Sequence, residues 1–410
     1  MSSSSQGART RPLGGPRVRH LFVPLLFGAL VGCSGIRESV RAATGTPRTA
    51  HARYAESLER AGLGETALGR EWLTAADTVL RAAHEVSLPH REVGAYVRDE
   101  ARATGWRVSL RDGERLVAAI VVRGEPGELF IDAFEQTGDS VPTFAHRATA
   151  VRDSAGDTLR LQLEAARDAW HVIRLQPELL RAGRYELLLR VEPTLAFPVP
   201  AVGPRGVQSF WGAARDGGAR SHEGIDIFAA RGTPVIAATD GTVRSTAPNR
   251  LGGNVVWLAD AARAQVLYYA HLDSVATTAG ARVRIGDTLG FVGNTGNAIT
   301  TRPHLHFGVY RRGSGAVDPW PFVRPAVGEA TMVRVDTVPL GARGTVRVAT
   351  ALRTGPSGEE RALRRVPARD TVRVVGASGR WYRVQLADGT AGYVAGEITA
   401  PIRVAGARAR

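Results

Sequence analysis

Histidine and carboxylate side chains gather in three short stretches of the chain: His222-Glu223-Gly224-Ile225-Asp226, Tyr268-Tyr269-Ala270-His271-Leu272 and Arg302-Pro303-His304-Leu305-His306-Phe307. Four of the ten histidines lie in them. In the third stretch two imidazoles stand two residues apart inside an apolar run. Residues i and i+2 of a strand share a face, so both rings can enter one site. Imidazole nitrogen with carboxylate oxygen is a zinc donor set, and a catalytic zinc takes three protein ligands and keeps one position open. His222 and Asp226 would lie roughly 13 Å apart on a straight strand. To share an ion they need a turn between them, which Gly224 permits. An imidazole with an ordinary pKa near ~6.5 also suits proton transfer at neutral pH.

The elements around these stretches are read from periodicity. Residues 34–105 form a helical region, with apolar residues at three- and four-residue steps (Tyr54, Leu58, then Trp72, Leu73, Ala76, Val79, Leu80, Ala83) and a third helix expected over Glu92 to Ala103. His84 and His90 have no partner at ligand spacing and read as surface or packing residues. Residues 106–196 alternate with period two between turn signals such as Asp112-Gly113 and Pro126-Gly127, the pattern of a small β-sandwich; His146 and His171 read as structural. The Pro-rich stretch within 197–209 reads as a semi-rigid linker. Residues 210–325 are β-patterned around the histidines, and 340–402 form a last small β module. The fold class is multidomain and mainly β, with an N-terminal helical segment. Gly252-Gly253-Asn254 and Gly293-Asn294-Thr295-Gly296 read as turns between strands, since neither opens a helix after a parallel strand.

With 410 residues the chain exceeds one small core. Its formal net charge is +14, concentrated in the second half and the extreme N-terminus, and attracts an anionic partner. Every basic residue is arginine, which reflects biased coding. Without a zinc finger, an aromatic-basic RNA motif or a helix-turn-helix, no nucleic acid partner is expected. The single cysteine, Cys33, excludes an intrachain disulfide framework and any Cys-rich metal site.

From Phe210 to Phe322 the chain resembles the catalytic domain of the lysostaphin/LytM-type zinc metallopeptidases, bacterial cell-wall endopeptidases with a β-rich (duplicated hybrid motif) fold. The resemblance rests on His222-x-Gly224-x-Asp226, Gly232-Thr233-Pro234-Val235, Gly241-Thr242-Val243, Gly252-Gly253-Asn254, Tyr269-Ala270-His271-Leu272, Gly286-Asp287, Gly293-Asn294-Thr295-Gly296 and His304-Leu305-His306-Phe307, in that order. It implies that His222, Asp226 and His306 hold Zn2+, whose residual charge would acidify water and polarise a scissile carbonyl. It also implies that His271 and His304 assist catalysis, without saying which is the base. Tyr268 and Tyr269 either line the groove, Tyr269 sharing a strand face with His271, or pack the sheet; Asn254 matches a position near the groove. The implied activity is hydrolysis of peptide bonds in peptidoglycan stem peptides or cross-links. The rivals are a catalytically silent, wall-binding activator of a peptidoglycan amidase and a general peptide hydrolase.

Two further resemblances frame this domain. Arg11, Arg17 and Arg19, a short apolar core and Leu30-Val31-Gly32-Cys33 resemble a lipoprotein signal peptide over residues 1–33. This implies export, a membrane anchor through a lipidated Cys33 and, with Ser34 following, the periplasmic face of the outer membrane. Residues 340–402 resemble a bacterial SH3-like domain, with Tyr393 where tryptophan is more usual. Trp381 and Tyr382 form a ligand platform or fill the barrel. Peptidoglycan is the expected partner, with wall enzymes or divisome proteins as further ones.

Overall fold

The computed structural model describes residues 49–401, apart from 139, 140, 155, 327 and 396–398. The leader with Cys33, residues 34–48 of the helical region and residue 402 lie outside the described residues. Within them the chain is mainly β.

Two helices open the described chain. Thr49 caps Ala50–Arg60 by accepting a hydrogen bond from Ala52 N at 3.1 Å, and Thr66 caps Ala67–Arg81 by accepting from Gly69 N at 3.1 Å. Their apolar faces bury Leu58, Trp72, Ala76 and Val79. Trp72 Nε1 donates to Pro177 O at 2.8 Å, so the pair is docked on the sheet below it. The third helix expected from Glu92 does not form. Residues His90–Tyr96 are a strand, antiparallel to Gly183–Pro193 with His90 opposite Leu189. His90, Glu92 and Gly94 point inward and their neighbours are half-buried, a period of two that overrides the helical spacing of Val93 and Val97. A Cβ at Gly94 would lie 2.2 Å from Tyr185 Cζ, so the ring occupies the place of a side chain.

The sandwich therefore takes strands from both sides of residue 105. One sheet runs His84–Glu85, Thr104–Leu110, Ala169–Pro177, Leu129–Thr137, Thr143–Thr149. The other runs His90–Tyr96, Gly183–Pro193, Glu114–Gly124, Thr158–Glu164, Val151–Arg152. Between them lie Trp106, Val108, Leu116, Ile120, Ile173 and Leu187, all buried.

Residues 197–209 are not a linker in space. Val199 is fully buried with Ile227 and Val235, Ile236 N donates to Pro198 O at 2.9 Å, and Val207–Ser209 is a strand paired with Ile225–Phe228. Prolines need no donor partner, so an extended Pro-rich segment can lie on a sheet edge and bury its valines there. The segment belongs to the β-rich domain that follows, whose core holds Ile225, Ile227, Leu267, Tyr269, Leu305, Phe307 and Val309. This domain rests on the sandwich through Arg263 to Glu164 and Arg324 to Glu114, and a Cβ at Gly113 would meet the Phe322 ring at 2.4 Å.

The C-terminal module is a small barrel of strands from Arg343–Val346 onward. Its strand Thr371–Ser378 pairs with His90–Tyr96, Val93 opposite Ala377, so barrel and sandwich share one sheet. Across the join, Glu92 is fully buried and receives Arg383 Nη2 at 2.9 Å, Tyr393 Oη at 2.9 Å, Tyr185 Oη at 3.1 Å and Trp106 Nε1 at 3.2 Å. Burial alone would raise the Glu92 pKa, but the Arg383 guanidinium and His90 hold it well below the usual carboxylate range. Tyr393 is thus a polar strut at this seam. Tyr382 is a core residue, its hydroxyl donating to Asp336 O at 2.6 Å, and Trp381 is half-buried.

Candidate metal centre and its cleft

The strand Ile225–Phe228 runs antiparallel to His304–Arg311, with Asp226 opposite His306 and Phe228 opposite His304. On the other side of His304–Arg311 lies Gln265–Val275, with Ala270 opposite His306 and Tyr269 opposite Phe307. Alternation then separates two faces. Ile225, Ile227, Leu305, Phe307, Leu267 and Tyr269 enter the core, while Asp226, Phe228, His304, His306, Tyr268 and Ala270 line a cleft of about 830 Å³. Among the described residues, every side chain lining that cleft comes from residues 208–310, so neither helices, sandwich nor barrel covers it.

His222 reaches the same point from a loop, because Gly212 N and His222 N exchange backbone bonds with His222 O and Ala213 O at 2.9 Å and close a small hairpin. Its Nδ1 donates to Phe210 O at 2.9 Å, and an imidazole that donates there presents a lone pair at Nε2. His222 Nε2, Asp226 Oδ1 and His306 Nδ1 form a near-equilateral triangle with sides of 3.0, 3.0 and 3.1 Å. Burial would push Asp226 up, but the two facing imidazoles, His222 and His306, outweigh it and hold the carboxyl far below the usual range. Burial lowers His306. Two ring nitrogens and one carboxylate oxygen this close fit a divalent ion such as zinc. The other Asp226 oxygen, Oδ2, accepts from Arg215, which also donates to Ser209 Oγ at 2.7 Å.

Gly224 serves this triangle differently from the sequence expectation. Its φ is not in the left-handed region; instead a Cβ there would lie 2.6 Å from His306 Cε1 and 2.6 Å from Phe307 O. The glycine leaves room for the imidazole.

His271 departs from strand alternation, and Tyr269 does not share its face. Its φ is 64°, a left-handed value rare for a residue with a side chain, and the pairing with Asn254–Asp260 slips beside it. The bulge turns His271 out of the core and into the cleft. Several bonds hold the strained residue in place. His271 N donates to Gly252 O at 2.7 Å and its Nδ1 to Thr295 O at 2.9 Å. Asn254 Nδ2 donates to Leu272 O at 3.2 Å and Asp273 O at 3.0 Å, so Asn254 braces the bulge. The two glycine turns pack together here: a Cβ at Gly253 would meet Thr295 Oγ1 at 2.2 Å. Burial, then His304 and His306, lower the His271 pKa to about 4. His304 donates from Nδ1 to Arg302 O at 2.8 Å. Both rings thereby keep Nε2 for the cleft, their centroids 5.0 Å apart.

One wall of the cleft is aromatic. Tyr268 packs tilted against Trp257 with ring centroids 4.1 Å apart, meets Tyr310 at 6.2 Å and turns an edge toward His306 at 5.9 Å. Burial and the Glu223 carboxylate push the Tyr310 hydroxyl up to about 12. Of the aromatic residues on this wall, only Tyr268 stands in a motif stretch of the sequence. Tyr310 and Phe228 could have been found by extending the period of two from His306 and Asp226. Arg215, Ser209 and Trp257 carried no such signal. His146 and His171 sit on the sandwich and His84 and His90 at its seam, and among the described residues no other group of metal donors converges.

A triangle of two imidazoles and a carboxylate in an open cleft, flanked by two imidazoles with Nε2 available, has the make-up of a metallopeptidase centre. Residues 220–319 match the model of Peptidase family M23, and residues 348–398 match that of a bacterial SH3 domain. The chain is 38% identical over 140 residues to the L-Ala–D-Glu endopeptidase of Bacillus subtilis (strain 168), covering 32% of this chain and 43% of that protein. It is 38% identical over 88 residues to the peptidoglycan DD-endopeptidase ShyC of Vibrio cholerae, covering 22% and 20%. The match to the glycyl-glycine endopeptidase ALE-1 of Staphylococcus capitis is 36% over 110 residues, 26% and 30%. The chain thus spans less than half the length of each of these relatives. A solved catalytic domain of lysostaphin from Staphylococcus simulans is 32% identical over 28% of this chain and 87% of that one, with a TM-score of 0.25.

Proposed function

We propose that this protein is a zinc-dependent endopeptidase that hydrolyses peptide bonds in peptidoglycan, in stem peptides or their cross-links. The observation that carries the reading is the donor triangle of His222 Nε2, Asp226 Oδ1 and His306 Nδ1, open to a cleft that also holds His271 and His304. Those three residues would hold the ion, which when bound supplies a Lewis acid for the scissile carbonyl. The chain's own groups do the rest. His271 and His304, each tied through Nδ1 to a carbonyl, offer Nε2 to take the proton of an attacking water and return it to the leaving amine. Low pKa keeps His271 in the form that accepts. The three relatives' names are all endopeptidases, and that of Vibrio cholerae, a peptidoglycan DD-endopeptidase, supports peptidoglycan as substrate, while the SH3 domain supports attachment to the wall. A silent activator of an amidase would be expected to lack a ligand or to bury its cleft; here the donor set is complete and the cleft open.

The test is mass spectrometry of purified peptidoglycan after incubation with the chain lacking its first 33 residues, with and without a chelator. New peptide termini that vanish with chelator and with His306→Ala are expected. Metal-loaded protein that releases nothing would overturn the reading. The same proposal takes the protein as exported and lipid-anchored at the outer membrane; labelled palmitate entering the wild type but not Cys33→Ser checks that part.

A further inference from the structure

Arg302 is bound to the catalytic geometry in two ways. Its carbonyl accepts the Nδ1 hydrogen of His304, and its guanidinium Cζ sits 5.4 Å from the centroid of the Phe228 ring. Phe228 lies opposite His304 in the sheet and stacks on it, centroids 5.0 Å apart at 27°. The side chain is exposed in the cleft. Of the other charged residues lining the cleft, Arg215 is held by Asp226, the Glu223 carboxylate faces Tyr310, and Arg220 has an interaction of its own. Among the described residues no carboxylate lies at ion-pair distance from Arg302, whose contact is the Phe228 ring.

Resting on the endopeptidase reading, we propose that Arg302 is a specificity-determining residue, a receptor for a free carboxylate on the residue flanking the scissile bond. A guanidinium grips a carboxylate through two parallel N–H···O bonds. Seating it on an aromatic ring beforehand reduces the freedom lost on binding. Because its own main chain orients His304, the receptor stands at a set place beside the reacting bond. Peptidoglycan offers two kinds of link that this distinguishes. In stem peptides D-Glu and diaminopimelate carry free carboxylates beside the backbone, whereas a polyglycine bridge carries none. The cleft therefore selects carboxylate-flanked stem-peptide bonds.

The test compares wild type, Arg302→Ala and Arg302→Lys on three probes: cross-linked muropeptide dimers with free D-Glu and diaminopimelate carboxylates, the same dimers amidated there, and pentaglycine. Hydrolysis is read as kcat/KM, and binding by calorimetry on metal-stripped protein. The wild type should favour the free carboxylates about tenfold or more in both readouts, the scale of a charge-assisted hydrogen bond. Arg302→Ala should bring that ratio close to one, and Arg302→Lys should restore part of it, as a point charge without the fork. An equal ratio in wild type and Arg302→Ala would overturn the receptor, as would an equal loss on free and amidated dimers, which marks mere support of His304. Carboxylate-selective binding without any hydrolysis would overturn the endopeptidase reading and leave the receptor standing.

Discussion

Replacing Gly224 with alanine adds one carbon where His306 Cε1 lies at 2.6 Å, His306 Nε2 at 2.7 Å and Phe307 O at 2.6 Å. Carbon atoms rest about 3.5–4.0 Å apart, so something must retreat by about 1 Å. The Phe307 carbonyl belongs to a strand paired on both sides, with Ile225 and with Tyr269, and cannot move far. The imidazole is the softer neighbour. Shifting it by about 1 Å removes Nδ1 from a site whose donors tolerate about 0.2 Å. If a zinc site of four donors is worth about 10–16 kcal/mol, one donor is worth about 2.5–4 kcal/mol, or roughly a 60- to 10³-fold loss of metal affinity. The metal-free protein should lose only the ~1–3 kcal/mol of an overpacked interior. Competition against a chromophoric chelator reads the first quantity, and urea unfolding of stripped protein the second. A metal affinity within about threefold of wild type, with unchanged stability, would refute the crowding argument.

His271→Ala and His304→Ala should each lower kcat by about 10²- to 10⁴-fold while metal titrations stay near wild type, separating proton transfer from ligation; a parallel loss of metal would make them ligands. Glu92→Gln strands the Arg383 charge in the interior and should cost about 3–5 kcal/mol in urea unfolding at neutral pH. Because Glu92 is depressed in the folded state, its contribution is complete above the ordinary value of 4.5 and is lost as pH falls below it toward the native value. Wild type should therefore weaken over that window and Glu92→Gln should not; equal acid sensitivity would contradict the buried ion pair. Val199→Asp should destabilise the catalytic domain by several kcal/mol, about the cost of an unpaired buried charge, whereas a free linker would leave thermal unfolding unchanged.

The donor triangle was legible because its members sit at motif positions whose strands pair directly, Asp226 against His306. Alternation also marked strands across residues 106–196. It failed at His271, since a bulge with a left-handed residue cancels the period of two that places Tyr269. The missing third helix and the buried Pro-rich segment failed for a shared reason. His90–Tyr96 and 197–204 take their structure from partners distant in sequence, Gly183–Pro193 in one case and the core around Ile227 and Val235 in the other. Local propensity does not contain those partners. Arg215 sits on the two-residue strand Ala214–Arg215 and Arg302 in the connection before His304, segments too short for periodicity or spacing to mark a side chain that later faces a cleft.

The shared sheet bears on how the barrel and the cleft would act on a polymer under the proposed function. A binding module on a loose tether raises the local concentration of its enzyme and lets it sweep many bonds. Here Thr371–Ser378 is hydrogen-bonded to His90–Tyr96, Arg383 is clasped by Glu92, and Phe322 is lodged against Gly113. The barrel is consequently a rigid mount with no reach to spend. Under the proposed function, whatever it grips would meet the cleft at one offset and one angle, so spacing along the polymer, and not time spent nearby, would decide which bond is presented.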